Sequence, residues 1–236
     1  MLALDTTTPV LTAALRDSDG LVGERIGNTA RSTAEQLPRV LCELLESARI
    51  EARAVDVFAV AAGPGSFTSL RVGIATMQGF AFATGRPLVL VSALEALAQA
   101  CAPEIFAGSM VGSWIDAHRR EVFSALYETT DAPAFSAGRL IERVPPMVAS
   151  PADTLALWTA SARAPDAIVG NGATAYAGVI PASIRTMSLP VLATSIASVA
   201  LSRFRDGHAS PPHAAQPLYV RRPDAEIARE KSSGTS

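Results

Sequence analysis

The stretch GPGSFTSLRVGIATMQGFAFATG, residues 63–85, constrains the fold of this chain more than any other part of it. A glycine-rich turn runs there into a helical segment that is apolar on almost every side. Ahead of the turn, VDVFAVAAG is a short β-branched and apolar run ending in small residues, which predicts a buried strand. Strand, tight turn and helix in that order gather backbone N–H groups at a helix N-terminus, where they can hold an anion. Within the helix Leu70, Ile74, Met77 and Ala81 recur at helical spacing, yet Val72, Gly79, Phe80 and Phe82 leave no wide polar face. A helix of that kind buries one face on its own sheet and the other on a partner.

A phosphate-binding P-loop needs a lysine after the glycines, and none follows here. Gly63, Gly65 and Ser66 are therefore read as a turn that lets strand, helix and partner pack closely. Ser66 has Pro64 two residues before it and Thr68 two after, so it is no G-x-S-x-G nucleophile. Arg71 falls in the first helical turn, where a cation opposes the helix dipole. It is read either as bonded to a neighbouring segment or a partner carboxylate, or as a solvated side chain.

The same order of elements occurs twice. Strands are expected at 2–5, 10–16 and 21–26, a helix at 33–48, a strand at 57–62, the helix from 68, a strand at 88–91 and a helix at 92–101. Ser92 is the expected N-cap of that last helix, with Glu95 at its third position completing a capping-box pattern. The second half repeats the pattern, with strands at 110–116, 121–128 and 140–144 and a helix at 151–161. A strand at 167–170, a short helix after residue 172, a strand at 186–189 and a helix at 195–205 follow. Two βββαβαβα halves predict an α/β, duplicated actin-like (ASKHA) two-lobed fold, divided as 1–104 and 105–222 with a polar tail at 223–236.

Asp5 and Asp116 correspond, each ending the first strand of its half. In active members of that architecture such turns bind nucleotide phosphates and magnesium, and a glycine lets the backbone approach the phosphate. Here the turns are DTTTPV and DAHRREV, without that glycine. Asp5 and Asp116, with Gly63, Gly65 and Ser66, are thus expected to be degenerate nucleotide positions whose carboxylates cap turns.

Composition narrows the function. With 236 residues, 49% of them hydrophobic, the chain has ample material for a core. A net charge of −2 argues against unaided nucleic-acid binding, which depends on a basic surface. The three histidines, His118, His208 and His213, include no pair at the four-residue spacing that sets two imidazoles on one helical face. Cys42 and Cys101 lack metal or disulfide spacing and are read as small buried hydrophobes. The opening MLALD has no charged leader pattern and no uncharged run is long enough to span a membrane, so a cytoplasmic setting is expected.

LALDTTT, the 63–85 stretch, SALEALAQA, WIDAHRREVFSALYE and PLYVR together resemble the TsaB (YeaZ) family, over residues 1–222. That resemblance implies a non-catalytic scaffold that pairs with TsaD in forming threonylcarbamoyladenosine at position 37 of tRNA. It implies pairing through helices of the first half, work alongside TsaE with the adenylate made by TsaC, and a homodimer when TsaD is absent. Contact with tRNA would be indirect, through the complex, with no membrane role. No cofactor of its own is implied; ATP or ADP and a metal would be held by, or shared with, TsaD. The metal of TsaD is held by histidines four apart on a helix, and the first 117 residues here contain no histidine. Leu37, Leu41, Leu70, Arg71, Gly73, Ile74 and Met77 are the expected partner interface. Ser69 and Arg120 stand where the family commonly has glycine. The competing expectations are an active nucleotide-dependent kinase or carbamoyl transferase, with Asp5 and Asp116 facing one ATP, and a homodimeric scaffold unrelated to tRNA.

Overall fold

The computed structural model describes residues 1–221, so the tail expected at 223–236 lies outside the described residues. The first half contains β1 (Leu2–Asp5), β2 (Thr12–Arg16), β3 (Leu21–Ile26), α1 (Thr33–Ala48), β4 (Phe58–Gly63), α2 (Phe67–Thr84), β5 (Leu88–Ser92) and α3 (Ala93–Cys101). The second contains β6 (Met110–Asp116), β7 (Val122–Thr129), β8 (Leu140–Ala149), α4 (Pro151–Ser161), β9 (Ala167–Val169), α5 (Asn171–Ala175), β10 (Arg185–Met187) and α6 (Leu192–Arg205).

The strands form two five-stranded mixed sheets, ordered β3-β2-β1-β4-β5 and β8-β7-β6-β9-β10. Within each, the first strand pairs antiparallel with the second and parallel with the fourth. The duplicated actin-like α/β fold is therefore present strand for strand. In the first sheet the two-residue period of a strand sends alternate side chains to opposite layers. Leu2, Leu4, Phe58 and Val60 pack with α1 and α2 on the outer side. Ala3, Ala59, Ala61, Val89 and Val91 pack with α3 and α6 on the inner side, against Val111, Ile115 and Val169 of the second sheet. Trp114, Trp158 and Ile168 fill the far side of that second sheet, under α4 and α5.

Two helices change places. α3 follows the first sheet in the chain yet also lies on β6, β7, β8 and β9, while α6 follows the second sheet and lies on β1, β2, β4 and β5. The first turn of α6 has no side-chain cap of its own; instead Ala193 N donates to Thr12 Oγ1 of β2 at 3.1 Å.

Three local expectations are corrected. β8 does not stop at residue 144 but continues through Pro145 and Pro146, because it is an edge strand whose outer backbone groups need no partner. Cys101 is buried, but Cys42 is exposed, lying beside the Leu37, Val40, Leu41, Leu44 stripe of α1 and not within it. Ser92 does accept from Glu95 N, at 3.4 Å, but the Glu95 carboxylate is held by Arg203 at 2.5 Å and does not turn back to complete a capping box. Among the described residues no helix is long and apolar enough to cross a membrane.

Candidate functional site

A cleft of about 850 Å³ opens where the β1–β2 loop, the turn before α2 and the β6–β7 turn converge. Asp5 is buried behind its own loop. Thr7 donates to Asp5 Oδ1 from its backbone N at 2.8 Å and from Oγ1 at 2.5 Å, and Thr8 Oγ1 donates to Oδ2 at 2.8 Å. Burial holds the Asp5 carboxyl above the ordinary carboxylate range, and the threonine bonds pull it back only in part. Asp116 Oδ1 accepts from His118 N at 2.9 Å and from the Tyr176 hydroxyl at 3.0 Å. Both carboxylates thus cap turns.

The glycines of the α2 turn press on protein. A Cβ at Gly65 would run into the backbone of Thr7, and one at Gly63, whose φ is 113°, would sit 2.8 Å from Leu218 O. Ser66 is the N-cap of α2 but its side chain makes no capping bond. Across the cleft, His118, Arg119 and Arg120 have φ of 57°, 55° and 64°, three successive residues in the left-handed region that favours glycine. Among the described residues no three His, Cys, Asp or Glu side chains stand close enough to hold a metal ion together. The Asp5 oxygens accept bonds from their own loop, and the glycines of the turn face protein atoms.

PLYVR supplies a part of the site that sequence reading did not assign. Leu218 N donates to Ala62 O at 2.7 Å, at the end of β4. The Tyr219 ring stacks on Phe67 with centroids 5.5 Å apart, and Arg71 Nε donates to the Tyr219 hydroxyl at 2.7 Å. Arg221 donates to Ala117 O at 2.8 Å and pairs with Glu121 in the β6–β7 turn. The chain's return segment therefore ties the start of α2 to the opposite wall of the cleft. Only the aromatic and basic character of YVR hinted at this, since the partners lie 148 and about 100 residues away.

The expected interface residues separate into two groups. Leu37, Leu41, Leu70, Ile74 and Met77 are buried in the outer core with Leu2, Leu4 and Phe58. Gly73 is buried as well, and a Cβ there would overlap Thr6 Oγ1. These six are buried within the chain; of the seven, only Arg71 is exposed. With two apolar faces, α2 has no polar stripe in its sequence to mark which side turns inward. The outward stripe is Thr68, Ala75, Gly79, Phe82 and Ala83, with Phe82 82% exposed.

A family model described as TsaD, tRNA N6-adenosine threonylcarbamoyltransferase, matches residues 25–229. The protein Rv3421c of Mycobacterium tuberculosis is 33% identical over 235 residues, which is 96% of this chain and 93% of that one. The tRNA threonylcarbamoyladenosine biosynthesis protein TsaB of Haemophilus influenzae is 38% identical over 125 residues, 52% of this chain and 51% of its own. The solved structure of YeaZ from Pseudomonas aeruginosa superposes with a TM-score of 0.73 at 29% identity, covering 92% of this chain and 98% of that one. The chain belongs to the TsaB (YeaZ) family. The two departures from the TsaB pattern have different consequences. Ser69 Oγ accepts from Thr33 Oγ1 at 3.2 Å and joins the starts of α1 and α2. Arg120 puts a side chain on a left-handed backbone, φ 64°, where a glycine would sit without strain.

Proposed function

We propose that this chain is a non-catalytic TsaB-type subunit that docks on a TsaD-type transferase through the outer faces of α1 and α2, in the formation of threonylcarbamoyladenosine on tRNA. The outward stripe of α2 carries the reading. A solvated helix face is rich in charge, yet in the 18 residues of α2 Arg71 is the sole charged side chain, and Thr68, Ala75, Gly79, Phe82 and Ala83 stand exposed. Small side chains there allow another helix to approach closely, and Phe82 supplies an apolar anchor. The buried stripe of Leu70, Ile74 and Met77 acts from beneath, fixing α2 on its sheet. The bonded Asp5 and the lack of a histidine pair support leaving the chemistry to the partner. TsaE, the adenylate from TsaC, any shared nucleotide or metal, and tRNA then reach this subunit through the transferase. In the transferase's absence the same face serves a second copy.

Depletion in the host should lower the threonylcarbamoyladenosine content of bulk tRNA, read by mass spectrometry; an unchanged level would remove the chain from the pathway. The docking face has its own test. A Cβ at Gly79 meets nothing within 4 Å, so Gly79→Arg should leave thermal unfolding unchanged and weaken co-elution with the transferase by about 100-fold. Magnesium-dependent ATP binding by the isolated chain, lost in Asp5→Ala, would instead make the protein a nucleotide-dependent enzyme.

A further inference from the structure

Arg71 combines three features that a solvated arginine does not need. It is the fifth residue of α2, close to the positive end of the helix dipole. Its guanidinium lies 3.8 Å from the Phe67 ring centroid and 5.7 Å from that of Tyr219. Its Nε is committed to the Tyr219 hydroxyl at 2.7 Å, while its two terminal nitrogens bond to no described residue. Phe67 and Tyr219 are themselves 39% and 41% exposed, so two aromatic rings stand at the surface to hold one cation. The result is a guanidinium held in orientation by Phe67 and Tyr219 before anything binds it, at the edge of the cleft that these residues line.

We infer that Arg71 is a preset reader of a carboxylate on the docking partner, and that Phe67 and Tyr219 are its positioning residues. The inference rests on the proposed docking face, which Arg71 adjoins. A fixed fork matches a carboxylate bidentately, and fixing it in advance removes the ordering cost that weakens most surface ion pairs. A nucleic-acid phosphate is the poorer match. Phosphate tracks recruit several cations, and here the neighbours along the helix are Thr68, Ala75 and Gly79. The nearby Arg221 is already paired with Glu121. Tyr219 reaches Arg71 from 148 residues away, so the return segment sets the charge-reading group of a helix in the first half.

Titration calorimetry of the full chain against the TsaD-type protein of the same host, at low and high salt, tests this. Arg71→Ala should weaken pairing by about tenfold or more and flatten its salt dependence, in a protein whose circular dichroism shows it still folded at the assay temperature. Arg71→Lys should not restore it, because a point charge lacks the fork. Tyr219→Phe, which keeps the ring and removes the hydroxyl, should fall between. Arg71→Glu should be rescued by replacing one partner Asp or Glu with Arg. Wild-type affinity in Arg71→Ala or in Arg71→Lys overturns the inference. So does an Arg71→Ala protein that pairs normally but lowers tRNA binding by the assembled complex, since the group read would then be a phosphate. If Gly79→Arg abolishes pairing while Arg71→Ala is silent, this inference alone fails; if Gly79→Arg pairs normally, the docking face itself is wrong.

Discussion

Asp5 shows how burial and local hydrogen bonds together set the state of one carboxyl. Its oxygens accept three bonds from Thr7 and Thr8, and burial raises its carboxyl above the ordinary value of 3.8. The folded protein therefore retains a proton on Asp5 at pH values where the unfolded chain has released it. Stability must fall as the pH rises from 3.8 towards the folded value, and this residue contributes no slope outside that window. Asp5→Asn removes the titration and keeps an acceptor for Thr7, while Thr8 Oγ1 retains Val10 O at 3.1 Å. Urea unfolding across acid pH should show wild type losing stability relative to Asp5→Asn as the pH rises through that window. A constant difference between the two would mean that Asp5 is not held protonated by burial.

At the scale of elements, α1 and α2 lie side by side and obey different rules. α1 begins with a complete capping box, Ser32 N donating to Glu35 Oε2 at 3.0 Å and Glu35 N to Ser32 Oγ at 3.4 Å. Its Leu37, Val40, Leu41 and Leu44 stripe is set off by Glu35, Arg39, Glu43 and Glu46, so its inward face is unambiguous. Ser32→Ala should cost about 1 kcal/mol, read as a lower urea midpoint at unchanged slope, because the box is exposed and its loss disturbs no packing. α2 has neither a side-chain cap nor a polar stripe. Its start is held from outside, by Leu218 on Ala62, Tyr219 on Phe67 and Thr33 on Ser69. An element stabilised that way has its surface free for binding, but its geometry depends on distant parts of the chain.

The whole molecule is joined by exchange. α3 and α6 each pack beyond the sheet they follow, and the return segment then crosses from α2 to the β6–β7 turn. Arg221 makes a further tie, bonded to Ala117 O, paired with Glu121 and 5.3 Å from the Phe123 ring centroid. Arg221→Ala should destabilise the protein by about 1–3 kcal/mol and raise amide exchange at 117–121 and at the start of α2, leaving α1 protected. Exchange confined to 117–121 would mean that the two walls of the cleft are held independently.

Local chemistry made most of the elements legible. Alternation in LALD, the stripe in 33–48 and the glycine turn at 63–65 each express a period or a backbone need carried by adjacent residues, and the order of those elements already implied a doubled sheet. Three things were not legible, for one reason. The inward face of α2, the capping of α6 by Thr12 and the grip of Tyr219 and Arg221 on the cleft all depend on which distant surfaces meet. Apolar periodicity marks a face as buried without naming what buries it. Residue types and their spacing were enough to determine the layers and the lack of a histidine pair for a metal. Only the folded chain, by bringing position 219 to position 71, decided where the exposed face of α2 ends and which charge it presents.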